Sequence, residues 1–499
     1  GDGVTFYVAE GTYYPVYDYN MNRANGKDAT FTVNSDVTIK GGYPANAKKG
    51  SVSDPKNHPT VFSGDFMNDD EIVWYSQNSD TLVYFKNSED DCFRLFTVKP
   101  SVKNLSFAYN GDPICVFDEE DVNNSFVLDG VTLTGSSMSM FGVGQNLTVT
   151  ITNSNLEKIG NFYLLQNNPS LIIDHCNLKH CNMGQMIDAK QLQISNSYIE
   201  KCFGNLYVYT TDGNRSAVTI ESVSISHNYS SFEIINSDVT VRNLLWKDSY
   251  QGRAFALRLD CSSRFENCQF LNNSFGYLID HASNRDLKLS ECEFSNNKCS
   301  SYMFSGTSLE LNNCYFDSNT TSILSNQGHD EGSSTVVSNC TFLNNRCESH
   351  LFLNMVTPFY FQNNTVVKNK ANYLFTVNNP KVLNNTIVGN SVAGSVLQSL
   401  IKDEELDASE LIGNIILGNG TQLSEIGYDN LPVIKTEKNK IQYNIMPIIR
   451  IDYQDEEEND NTTWIPEDNT NAFVRPFDLG KNESNKCKAC TSAYPDFEE

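Results

Sequence analysis

Asp280, His281, Arg285 and Asp286 crowd into one short stretch, and Arg253, Arg258 and Asp260 lie one repeat earlier. Paired carboxylates are the raw material of acid–base hydrolysis, because one must donate a proton while another activates water. If these seven side chains share an outer face, they form the nearest approach to a catalytic set in the chain. His175, His180 and His227 are scattered around turns and do not make a metal triad. Cys487-x-x-Cys490 is a weak zinc or disulfide signal with no partner pair nearby. No Gly-x-Ser-x-Gly supports Ser-His-Asp chemistry, and no phosphate loop or dinucleotide fingerprint occurs. Read as exposed loop charges, these residues assign no catalytic, cofactor-binding or metal-binding position. No cofactor is expected. For Ca²⁺ there is only the acidic run Asp452–Asp460, which reads as solvated linker and lacks the EF-hand loop spacing.

Charge narrows the partners. The 499 residues carry a formal net charge of -25. An acidic surface repels phosphate backbones, so nucleic acid is not expected as a partner. Neutral glycans, basic protein patches or Ca²⁺ remain compatible with it. No run of 18 apolar residues exists that would cross a membrane as a helix. The chain opens at Gly1-Asp2-Gly3 without a Met or a signal peptide, and reads as a fragment or processed chain.

What must position any site is a repeat. Leu287-Lys-Leu-Ser-Glu-Cys292-Glu-Phe294-Ser-Asn-Asn297 matches Leu309-Glu-Leu-Asn-Asn-Cys314-Tyr-Phe316-Asp-Ser-Asn319, and Val337-Ser-Asn-Cys340-Thr-Phe342-Leu-Asn-Asn345 follows. Taking the Cys as an anchor, equivalent positions fall at Leu105, Val131, Ser154, Cys176, Ser197, Val223, Leu244, Cys268, Asn364, Asn385 and Asn414. The residues three before and two after each anchor are apolar throughout, from Val102 and Phe107 to Leu411 and Ile416.

Alternation along a strand turns this pattern into geometry. The positions five and three before the anchor share one face, and so do the anchor and the second residue after it. The odd step between those two sets requires a bend that re-aims the inward face. A second odd step leads to Asn273, Asn297, Asn319, Asn345, Asn369, Asn390 and Asn419. Stacked amides there can hydrogen-bond from coil to coil and satisfy buried polar groups. Cys268, Cys292, Cys314 and Cys340 are expected as a second internal ladder of packed thiols, not bridges. Asn-x-Ser/Thr sequons such as Asn104, Asn272 and Asn363 are incidental in so Asn-rich a repeat.

A leucine-rich repeat shares part of this frame. However, the segments after the turn, such as Phe275–Ile279 and Tyr373–Val377, are aromatic and β-branched, which favours strand over helix. The fold class is therefore all-β: a single-stranded right-handed parallel β-helix with three short strands per coil. Residues 1–100 form opening coils with insertions at Tyr17–Asp28, Tyr43–His58 and Met67–Glu71. Residues 101–420 carry the regular repeat, and 421–499 are an irregular acidic segment. About sixteen coils would make a monomeric rod roughly 75–80 Å long.

The series Val4-Thr-Phe-Tyr-Val-Ala-Glu-Gly11-Thr-Tyr-Tyr-Pro15, Val37-Thr-Ile-Lys-Gly-Gly-Tyr-Pro44 and Pro59-Thr-Val-Phe-Ser-Gly-Asp65 resembles the opening coils of secreted, pectin-lyase-like right-handed β-helix proteins common in Bacteroidetes. The Phe-x-x-Asn units at Phe270, Phe294, Phe316 and Phe342 resemble the repeats of chlamydial polymorphic outer-membrane proteins, without that family's Gly-Gly-Ala-Ile partner motif. The resemblance implies an extracellular, secreted or cell-surface protein. It implies a non-catalytic, adhesin-like contact with a glycan or host surface. Its alternative is a polysaccharide lyase, whose relatives use clustered Asp/Glu for Ca²⁺ and an Arg or Lys base on one outer face, or a glycoside hydrolase, whose relatives use several Asp in adjacent coils.

Overall fold

The computed structural model describes residues 3–99, 124–159, 170–401 and 410–419, with short interruptions (19, 25, 35, 78–79, 137–138, 144–146, 189, 210–214, 284, 307, 327–333, 355–358, 378–379 and 418), and beyond them strand backbones between 435 and 473. The expected anchor at Leu105, Cys487-x-x-Cys490 and the sequon at Asn104 lie outside the described residues.

One coil shows how the sequence bends. A first strand, Asp286–Ser290, ends at Glu291, whose φ is 55°. Cys292 follows, then a second strand, Glu293–Ser295, which ends at Asn296 with φ 56°. Asn297 then leads into a third strand, Lys298–Ser305. Each left-handed residue breaks the alternation once, so the next side chain points inward again. These corners recur at Asn153, Asn196, Asn243, Asn267, Asn313, Asn339 and Asn363 before the anchors, and at Asn272 and Asn344 after the second strands. Asn tolerates this conformation better than other residues with a Cβ. The Asn richness of the repeat thus has two causes, corners as well as ladders. The sequons at Asn272 and Asn363 occupy such corners, at φ 56° and 57°.

The inward positions fall as the alternation requires. Every described residue three before or two after an anchor, from Leu128 and Leu133 to Val382 and Ile416, is at most 1% exposed. Phe270, Phe294, Phe316 and Phe342 stack in parallel, with centroids 5.3, 4.7 and 4.8 Å apart.

The chain forms two compact units, Gly1–Thr240 and Val241–Glu499. In the first, the leading strands Val4–Ala9, Val37–Tyr43, Asn124–Asp129, Leu147–Thr152, Ser170–Asp174, Gln191–Ser195 and Ser216–Glu221 pair in parallel, each with the next. In the second, the series Ser262–Glu266, Asp286–Ser290, Ser308–Asn312, Thr335–Ser338, Phe359–Gln362, Pro380–Leu383 and Glu410–Ile412 does the same. Among the described residues there is no α-helix, only one 3₁₀ turn at Gly26–Asp28. The leucine-rich alternative is thereby excluded, and the fold is a parallel β-helix.

Two features depart from the sequence reading. The insertion expected at Met67–Glu71 is larger: the chain leaves the coil at Gly64, forms an antiparallel hairpin of Glu71–Gln77 with Asp80–Lys86, and rejoins at Cys92, whose N–H donates to the Gly64 carbonyl at 2.9 Å. The coil pattern also runs past residue 420. Lys435–Glu437 and Lys440–Gln442 pair with Glu410–Ile412 and Ile415–Leu417, and the two ends of the acidic run lie in paired antiparallel strands, Ile449–Gln454 with Asn459–Trp464.

Candidate ligand-binding groove

The seven charged residues singled out by sequence do not converge. Asp280 on the third strand Ser274–Ser283 is flanked by Arg253 Nη1 at 3.0 Å and Arg258 Nη2 at 2.6 Å. Ser305 Oγ donates to its Oδ1 at 2.7 Å. Burial alone would raise the Asp280 carboxyl, but the hydrogen bonds from Arg258 and Ser305 and the two arginine charges hold it below its ordinary value. It is a carboxylate at neutral pH and has no proton to donate. His281, the next residue, points into the core. It is fully buried, its Nε2 donates to the Cys261 carbonyl at 3.3 Å, and burial pushes its pKa down to about 4.

The remaining members sit elsewhere. Asp260 pairs with Arg285, with Nη2 to Oδ2 at 3.3 Å. Asp286 belongs to a first strand, where it accepts from Ser308 Oγ at 2.8 Å. The strand-to-strand bend that sequence spacing alone does not locate puts these side chains on different faces. His175, His180 and His227 occupy left-handed corners, with φ between 51° and 56°. His175 and His180 face Asp174 and Glu157 across 2.7 and 3.7 Å. The three do not form a metal cluster among the described residues.

The third face of the unit Val241–Glu499 carries something else. Directly after the buried ladder Asn of successive coils come Lys298, Thr320, Arg346, Lys370 and Ser391, each in register with the next. Their N–H groups donate to the carbonyls of Asn273, Asn297, Asn319, Asn345 and Asn369 at 2.7–2.8 Å. The buried amides therefore fix an outward stripe, and at the spacing of parallel strands Lys298 and Lys370 stand on the order of 14 Å apart.

These residues line an open groove of about 860 Å³. Its other walls are mostly small and polar, including Ser300, Ser301, Ser322 and Ser349, with Glu348 as its one carboxylate. Tyr302 and His350 supply the rings. His350 stacks on Tyr373 at 5.3 Å and 16°, and its Nδ1 lies 2.6 Å from Thr376 Oγ1. Burial holds its pKa below the ordinary value, so the ring is neutral at pH 7. Among the described residues, no carboxylate pairs with Lys298, Arg346 or Lys370, all three of which are exposed. Sequence reasoning passed over this stripe. Its signal was a cation directly after the ladder amide, as in Asn297-Lys298, Asn345-Arg346 and Asn369-Lys370.

Comparison with known proteins agrees with the architecture. A family model described as right handed beta helix region matches residues 186–331. No curated protein and no solved structure matches the chain. Among the described residues, no helix is long and apolar enough to cross a membrane.

Proposed function

We propose that the protein is a non-catalytic, extracellular or cell-surface β-helix that acts as a monomer and binds an acidic glycan along its third face. The carrying observation is the register of Lys298, Arg346 and Lys370 in a groove whose other walls are mostly small and polar, with two rings and a single carboxylate, Glu348. In a chain of net charge -25, a local basic stripe favours an anionic ligand. Hydroxyl-rich walls suit a polyhydroxylated one, and an extended repetitive face suits a polymer, which can make several weak contacts at once. Adhesion to a glycan-bearing surface follows from that capacity. The lyase or hydrolase reading has less support, because Asp280 and Asp260 are already paired to arginines.

Affinity electrophoresis in polygalacturonate, a sulfated glycan and a neutral glucan tests the proposal. Retardation is expected in the acidic polymers only, weakening as salt rises. The triple variant Lys298→Glu, Arg346→Glu, Lys370→Glu should lose retardation while keeping its unfolding midpoint. Equal retardation of wild type and variant, or none in any polymer, would overturn it. Release of unsaturated uronides from the polymer would establish the lyase instead.

A further inference from the structure

The insertion in the second coil carries a different kind of site. Phe62 pairs with Leu133, which places Asp65 three residues on, at the corner that later coils fill with a ladder Asn. This coil therefore puts a carboxylate where later coils put an uncharged side chain. The insertion brings two more: Asp65, Asp70 and Asp91 are 3%, 5% and 2% exposed, and one oxygen of each lies within 4.8 Å of the others. Both oxygens of Asp70 and Oδ1 of Asp91 are buried with no hydrogen-bond partner. Unpartnered buried carboxylates crowded together are costly unless a cation lies among them. The nearby Lys158 ammonium is engaged by the Asp70 backbone carbonyl, 2.8 Å away.

We propose that Asp65, Asp70 and Asp91 hold a Ca²⁺ ion at the root of the hairpin insertion. All donors are carboxylate oxygens, which select a hard cation. A second set, Asp65, Asp69 and Asp90, shares Asp65 with the first. Five carboxylates in irregular array match the high, flexible coordination of Ca²⁺ better than the strict octahedron of Mg²⁺. The loop is shaped for it: Asp65 accepts the N–H groups of Asp69 and Asp70 at 3.3 and 3.4 Å, and Asp90 accepts that of Met67 at 2.8 Å. Without a cation, burial and the neighbouring carboxylates push Asp91 up to about 8 and Asp70 up to about 6. A bound ion would tie the departing strand, at Asp65, to the returning one, at Asp91, and so brace the hairpin against the coil.

Calorimetric titration of the chelator-stripped full chain with CaCl₂ and with MgCl₂ tests this, alongside thermal unfolding. Wild type should bind about one Ca²⁺ per chain, in preference to Mg²⁺, with a raised midpoint and slower proteolysis within 71–86. Asp70→Asn/Asp91→Asn should stay folded, with a midpoint in chelator at least equal to that of wild type, and lose the Ca²⁺ response. Asp69→Asn/Asp90→Asn should weaken binding without abolishing it. Absence of Ca²⁺ binding by wild type would mean a proton shared between Asp70 and Asp91, and would overturn the proposal. Undiminished binding by Asp70→Asn/Asp91→Asn would overturn it too, by placing the ion elsewhere.

Discussion

The Cys340 N–H donates to Asn364 Oδ1 at 2.8 Å, so the thiol ladder and an amide ladder are one continuous structure. Cys268, Cys292, Cys314 and Cys340 run directly into Asn364, Asn385 and Asn414. The two side chains use the same partners. Cys268 Sγ donates to the Val241 carbonyl of the preceding coil at 3.6 Å, and Asn364 Nδ2 donates to the equivalent Val337 carbonyl at 2.9 Å. In the unit Gly1–Thr240 the other ladder position shows the same exchange, where Cys181 N–H donates to Cys202 Sγ and Cys202 N–H to Asn228 Oδ1.

Interchange at these positions is the first expectation. Cys340→Asn should hold or raise the urea midpoint, because the longer amide can reach the Leu311 carbonyl and Asn364 at better length. Cys340→Ala should lower stability by about 1–2 kcal/mol, since it removes the acceptor facing the Cys314 N–H. If Asn proves as damaging as Ala, the two side chains do not share a role.

The same cysteines should be chemically silent in the folded state. No disulfide links them among the described residues, and Cys268, Cys292, Cys314 and Cys340 are all buried, at most 2% exposed, so no thiol reagent reaches them in the fold. Thiol titration should therefore find them only after denaturation, and reductant should leave the unfolding midpoint unchanged. Rapid labelling of the native protein at these positions would contradict the packing.

Asn residues should divide sharply by position. Asn319 Nδ2 donates to the Phe294 carbonyl at 2.8 Å and to Asn345 Oδ1 at 2.9 Å, and its Oδ1 accepts from the Asn297 N–H and Nδ2. Asn319→Ala removes all four bonds, leaves the buried Asn297 N–H without its acceptor, and should cost about 3 kcal/mol or more. Asn344, exposed at φ 54°, adopts the left-handed conformation and makes only a long, exposed side-chain hydrogen bond, Nδ2 to Asp317 Oδ1 at 3.3 Å, so Asn344→Gly should change stability by less than about 0.5 kcal/mol. Denaturant midpoints of the two variants decide it.

Gly64 should tolerate no side chain. A Cβ there would collide with the Gly135 carbonyl and the Cys92 sulfur, both fixed in neighbouring turns of the core. Gly64→Ala should cost about 1–3 kcal/mol or more. Limited proteolysis should then open the insertion before the coils.

His281 makes stability fall in acid. Its pKa in the fold, about 4, lies below the value of about 6.5 for an exposed imidazole. Between those values the unfolded chain binds the extra proton, so stability is full above about pH 6.5 and declines as pH drops towards 4. The contribution is on the order of 3 kcal/mol. His281→Gln should flatten that part of the pH–stability curve, measured by urea unfolding at a series of pH values.

The coil can be read along the chain. Period-two alternation interrupted at fixed intervals requires a solenoid turn, because the apolar residues three before and two after each anchor can be buried together only if the chain bends between them, and the aromatic and β-branched segments after the turn favour strand over the helix of a leucine-rich repeat. The Asn and Cys ladders were legible for the same reason, since a small polar residue repeated at an inward position must find its partner in the next turn. Which outward residues meet depends instead on how the coils stack. Asp280 and His281 are adjacent in sequence and opposite in direction. Lys298, Arg346 and Lys370 are dozens of residues apart and in register. The carboxylates of Asp65, Asp70 and Asp91 are brought together by an insertion whose length no repeat constrains. Burial imposes a period that can be read along the chain, whereas neighbours on the outside are set by the stacking of coils of unequal length.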